Sequence, residues 1–171
     1  MNRFPIDHHS FPTIRRLTVK YFGMQLSAMI LLLFTAQSAL AHCEVPCGIY
    51  DDELRFERML EDQETISKGI GKIRELADSS DPQSVNQTVR WINTKETHAT
   101  NIQHVISQYF MTQRIKAGKD GYAQKLTAAH AVMVAAMKCK QSVDPEAAKT
   151  LRANILDFYR AYEGKEPQLH Q

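Results

Sequence analysis

Several features are missing from this 171-residue chain, and each absence removes a class of answer. No stretch alternates apolar and polar residues for the length of a strand, which argues against a sheet. No apolar run reaches the ~20 residues that a membrane-crossing helix needs; the run over 24–36 is the most apolar. There is no low-complexity tract and no obvious internal repeat. No His-x-x-x-His or Glu-x-x-His pair occurs, so the paired-ligand pattern of a di-metal site inside a bundle has little support. His98, His104 and His130 therefore read as structural or surface residues.

What is present begins with an uneven charge distribution. Arg3, Arg15, Arg16 and Lys20 face a single acid, Asp7, before the apolar run over 24–36, and Gln37-Ser-Ala-Leu-Ala41 ends that run on an Ala-x-Ala tripeptide. A basic region, a short apolar region and a small-residue cleavage site are the three parts of a secretory signal peptide. Residues 1–41 are accordingly expected to be removed, and the mature protein to be periplasmic or extracellular with no stable membrane anchor. The alternative is a cytoplasmic protein with a trimmed propeptide. Without the leader, 17 bases face 18 acids, which leaves no global electrostatic case for nucleic acid as a partner. The remaining 130 residues suit one compact domain.

Four amphipathic stretches follow. Phe56, Met59, Leu60, Ile66, Ile70, Ile73 and Leu76 recur at mostly three- and four-residue steps, predicting a helix over about 52–78. Asp81 followed by Pro82 is an N-cap signal for a second helix over about 82–116, with Val85, Val89, Ile92, Ala99, Ile102, Val105, Ile106, Tyr109 and Phe110 as its apolar stripe. Ala117-Gly-Lys-Asp-Gly121 breaks it. A third helix over 121–140 uses Tyr122, Leu126, Ala129, Met133 and Ala136. Asp144-Pro145 repeats the cap-then-proline signal for a fourth, burying Leu151, Ile155, Phe158 and Tyr162. The expected fold is all-α, an antiparallel four-helix bundle over 52–171 preceded by an N-terminal segment over 42–51.

That segment, His42-Cys-Glu-Val-Pro-Cys-Gly-Ile-Tyr50, carries the chemistry. Cleavage after Ala41 would give His42 a free α-amine. The amine and the backbone nitrogen of Cys43 close one five-membered chelate ring around a metal, and that nitrogen with the Cys43 sulfur closes a second. Cys47 supplies a fourth donor if the chain turns back. Pro46 restricts the backbone before it and Gly48 permits a tight exit. Two nitrogens and two sulfurs in one plane, with the His42 imidazole free to approach axially, favour nickel(II) or copper(II) over zinc.

The segment closely resembles the nickel hook of nickel-containing superoxide dismutases: histidine at the processed end, the cysteine spacing, the proline and the tyrosine all agree. The likeness extends through Thr88-Val89 and Gln108-Tyr109-Phe110. It implies a four-helix subunit assembled as a homohexamer, a nickel ion cycling between divalent and trivalent states, and disproportionation of superoxide to dioxygen and hydrogen peroxide. By matched position it implies that His42, Cys43 and Cys47 hold the metal and that Tyr50 lies over the open face, ordering water and controlling anion access. It further implies that Glu57 hydrogen-bonds the axial imidazole. Glu44 stands where an aspartate is common, keeping the acid. Thr94, beside Lys95, falls where well-known members place an arginine.

Two other readings use the same residues. Cys43 and Cys47 could pair as a disulfide in an exported helical protein, or the terminus could carry copper or zinc without catalysis. Cys139, the third cysteine, is flanked by Lys138 and Lys140, whose charges would lower a thiol pKa; packing is the more common fate of such a residue, and no metal role is assigned to it.

Overall fold

The computed structural model describes residues 52–167. Among them are four helices and no strand: α1 (Glu53–Glu75), α2 (Pro82–His104), which continues as a π-helical segment (Val105–Arg114), α3 (Tyr122–Gln141) and α4 (Pro145–Glu163). α1 packs on α2 and α4, and α3 on the same two. α2 and α3 run antiparallel, and so do α1 and α4, where Gln63 reaches Ala148 and Glu53 accepts from Tyr159. Gln103 and Lys95 on α2 reach Met133 and Cys139 on α3, so position rises on one helix as it falls on the other. The all-α bundle expected from the periodicity is the fold observed.

The caps are those the sequence announced. Asp81 accepts from the backbone N–H groups of Gln83 and Ser84, both at 3.1 Å, with Pro82 at the first helical position. Asp144 accepts from Glu146 N–H at 3.0 Å ahead of Pro145. A carboxylate there satisfies N–H groups that the helix leaves without partners and complements its dipole. At the far end of α4, Gly164 adopts φ 71° and donates its N–H to Arg160 O, a left-handed closure that glycine makes without steric cost.

The core is aromatic at one end and aliphatic along its length. Phe56 is fully buried among Phe110, Phe158, Tyr159 and Tyr162, with ring centroids 4.9–5.9 Å away. Ile66, Ile70, Ile102, Ile106, Leu151 and Ile155 continue it toward the other end. α3 contributes small residues, Ala129, Val132, Ala135 and Ala136, which let its neighbours approach closely.

Three expectations about the stripes need correction. Val85, Val89 and Ile92 are 40–52% exposed, because the first half of α2 turns that face to solvent. Tyr122 is exposed at the start of α3, and Leu76, just past the end of α1, is only half-buried. The second helix is also not α-helical throughout: Ile115 N–H bonds to Phe110 O, five residues back, at 2.8 Å. No helix among the described residues is long and apolar enough to cross a membrane.

Candidate functional site

His42, Cys43, Pro46, Cys47, Gly48 and Tyr50 lie outside the described residues. Glu57 lies inside, half-buried on the second turn of α1. The structure therefore speaks to the platform from which the 42–51 segment departs, and that platform is built around the first described residue.

Asp52 occupies the N-cap position of α1 but makes no capping bond. Its carboxylate is 4% exposed and turned into the bundle. Oδ1 accepts from Tyr109 Oη at 2.5 Å. Oδ2 accepts from Tyr162 Oη at 2.5 Å and from Arg114 Nε and Nη2 at 2.9 and 2.6 Å. A residue type that ordinarily stabilises a helix start by ~1 kcal/mol through its cap instead collects three side chains from two other elements. Next to it, Glu53 accepts from Tyr159 Oη at 2.8 Å and lies 3.9 Å from Lys165 Nζ.

The π-helical segment makes this convergence possible. In an α-helix, residues five apart point roughly 140° away from each other. Where hydrogen bonds close from i to i+5, such residues stack on one face. Tyr109 and Arg114 are five apart, and both reach Asp52. Phe110 and Ile115, also five apart, are both buried. Arg55 caps the cluster by stacking on the Tyr109 ring, 4.5 Å from its centroid.

The electrostatics follow from this geometry. Burial would raise the Asp52 pKa, but donation from Tyr109, Tyr162 and Arg114 outweighs it and holds the carboxyl below its usual value. Tyr109 and Tyr162 move the other way, pushed up by burial and by bonding to an anion. The guanidinium of Arg114 is held charged by the same contact. The result is an ionised carboxylate that accepts from two neutral phenols and one cation.

The remaining candidates from the sequence fall elsewhere. His98 Nδ1 sits 2.5 Å from Asp62 Oδ1, tying α2 to α1, while burial pushes the Asp62 carboxyl up. His104 and His130 are on the surface. Thr94 is half-buried. Lys95 beside it is 3% exposed and donates to the carbonyls of Cys139 and Lys140 at 2.7 and 2.6 Å, which commits its ammonium to the C-terminus of α3. Cys139 is fully buried, and burial pushes its thiol up to about 11 although Lys95 pulls the other way. Packing, the more common fate expected of this residue, is what the fold shows: Cys139 is fully buried at the end of α3, and Lys138 and Lys140 do not activate it. Among the described residues no group of three or more His, Cys, Asp or Glu side chains comes together to hold a metal ion.

Sequence reading missed the roles of Asp52, Arg114, Tyr159 and Lys95. Asp52 carried a local signal, an acid at a helix start, but that signal predicts a cap. The partners that override it are 57, 62 and 110 positions away, and no local pattern links them.

Comparison with protein families gives one match: the family model for nickel-containing superoxide dismutase covers residues 37–166, taking in the 42–51 segment and all four helices. Neither the curated proteins nor the solved structures contain a match to this chain.

Proposed function

The chain belongs to the nickel-containing superoxide dismutase family, and on that premise we propose that the metal is held by the first residues of a processed chain, His42, Cys43 and Cys47. The protein is an enzyme that converts superoxide to dioxygen and hydrogen peroxide, with nickel as its cofactor. The donor set fits that ion: two thiolates, an amine and a backbone amide would give the nitrogen- and sulfur-rich coordination that nickel(II) accepts. Bound nickel, cycling between its divalent and trivalent states, supplies the electron exchange for both half-reactions.

The chain's own residues have distinct tasks. The His42 α-amine exists as a ligand only after cleavage at Ala41, so proteolysis completes the site. Pro46 and Gly48 shape the turn that returns Cys47 toward Cys43. Glu57, at the start of α1, accepts a hydrogen bond from the His42 imidazole and fixes its orientation, as partners of metal-bound histidines do. Tyr50, close to the ligands in the chain, would order water beside them and narrow access for the small anion.

Residues 1–41 act as a leader that is cut away, and the mature enzyme is exported; removal of a cytoplasmic propeptide is the competing reading. The subunit assembles as a homohexamer. The stripe Val85, Val89 and Ile92, spaced i, i+4, i+7 and exposed, supports assembly because it offers an apolar face for another copy to cover.

The observation that carries the proposal is that the family match runs across the cysteine-bearing segment as well as the bundle. The decisive experiment adds one glycine before His42 in the processed enzyme, turning the α-amine into an amide. Nickel content and superoxide removal should collapse while helicity is unchanged. Full nickel occupancy and activity in that form would overturn the ligand assignment.

A further inference from the structure

Asp52 lies five residues after Cys47 and two after Tyr50. Even a fully extended chain spans no more than about 3.6 Å per residue. The backbone of the last sulfur donor therefore lies within about 18 Å of Asp52, and that of Tyr50 within about 7 Å. Whatever holds Asp52 limits where both can be.

We propose that Asp52 is a positioning residue for the metal hook, locking the point at which the hook leaves the bundle so that the ligands and Tyr50 are presented in one geometry. Three features carry this. First, the Asp52 carboxylate makes no cap on its own helix and instead accepts from other elements: Tyr109 and Arg114 from the π-helical segment, and Tyr162 from α4. Second, the adjoining Glu53 is held to Tyr159, so the first turn of α1 is fastened at two successive residues. Helix ends with unpartnered N–H groups fray readily, and these side chains oppose fraying where it would loosen the hook. Third, the π-helical geometry that brings Tyr109 and Arg114 onto one face is an uncommon conformation, of a kind that clusters at functional sites. Ligand constellations need their supports held to about 0.5 Å, and a carboxylate bound by four hydrogen bonds from three side chains supplies that rigidity.

The proposal rests on the ligand reading above, and its test separates the two. Processed, nickel-loaded enzyme is compared with Asp52→Asn, Tyr162→Phe, Lys95→Met and Cys47→Ser. Nickel affinity is measured by chelator competition, thiolate-to-metal absorption is recorded, and metal-free melting is followed by circular dichroism. Lys95→Met is the control: it should destabilise the bundle at the end of α3, where Lys95 packs beside Gly69, 17 positions along α1 from Asp52. Asp52→Asn should weaken nickel binding about 10-fold, the scale of losses when a metal ligand's support is removed, and shift the absorption band. Lys95→Met should lower melting and leave nickel affinity unchanged. If Asp52→Asn does not fold, Tyr162→Phe carries the test with a loss of about threefold, a single support removed. Equal nickel affinity and an unshifted band in Asp52→Asn, or in a folded Tyr162→Phe where that variant carries the test, would overturn the proposal. Retention of nickel by Cys47→Ser would instead remove the ligand reading, and the anchor proposal with it.

Discussion

Asp52 and Arg114 are separated by 62 positions in the chain, yet their carboxylate and guanidinium meet at 2.6 Å. One begins the first helix and the other ends the π-helical segment, so the pair joins α1 to the end of α2. Because the Arg114 side chain is 40% exposed, the charge pair alone contributes little. What strengthens it is that the buried partner also holds two phenols.

This cluster sets an acid limit on stability. The folded pKa of Asp52 is depressed below 3.8, so its stabilising contribution is complete above the ordinary carboxylate value and is lost as pH falls through the lower, folded value. Metal-free protein should therefore melt progressively earlier below pH ~4. Asp62, raised by burial, contributes with the opposite sign, its cost being relieved on acidification. The Asp52 share is thus read as the difference between the parent and Asp52→Asn. Melting curves from pH 6 to pH 2 should converge for the two proteins at the acid end; parallel curves would show that Asp52 carries no such linkage.

Phe56→Ala should be among the most damaging single changes. The ring touches four others and is fully buried, so truncation leaves a cavity at the same end of the bundle as Asp52. A loss of about 3–5 kcal/mol is expected, large against the 5–15 kcal/mol that typically holds a domain together. Urea titration followed by circular dichroism measures it. A loss under about 1 kcal/mol would mean that the aromatic cluster collapses around the gap.

Gly71→Ala should stabilise. Gly71 lies inside α1, and a methyl group placed on it meets nothing within 4 Å. Replacing helix-interior glycine with alanine lowers the entropy of the unfolded chain and contributes about 0.5–1 kcal/mol. Thermal melting should rise by a few degrees, with nickel content unchanged.

Cys139 should be chemically silent in the folded state. Its thiol is fully buried and pushed up to about 11, which leaves almost no thiolate at pH 8. In reduced, metal-free protein, iodoacetamide at that pH should label Cys43 and Cys47 and spare Cys139 until denaturant is added; mass spectrometry of the peptides distinguishes the sites. Rapid labelling of Cys139 in native protein would contradict its burial.

Much of this protein was legible from local pattern. Four helices and their starts at Pro82 and Pro145 follow from apolar spacing and from Asp-Pro caps, because those effects act within one or two turns. The proposed donors of the 42–51 segment are equally local, because chelate rings depend on adjacent atoms; His42, Cys43 and Cys47 lie outside the described residues. Stripe positions were less secure. Val85, Val89 and Ile92 share the periodicity of the buried residues below them, but periodicity identifies a face and not what covers it.

How the Asp52 carboxylate is held was decided by tertiary structure alone. An aspartate at a helix start has two uses for its carboxylate, a cap on its own helix or bonds to distant side chains, and nothing within reach along the chain chooses between them. Here Tyr109, Arg114 and Tyr162 make the choice. They converge only because a π-helical stretch turns residues five apart onto one face and because four helices pack with that end of each brought together. Short-range chemistry put the proposed ligands within a few residues of one another, whereas the rigidity that would hold them steady arises from contacts up to 110 positions apart, which exist only once the bundle has closed.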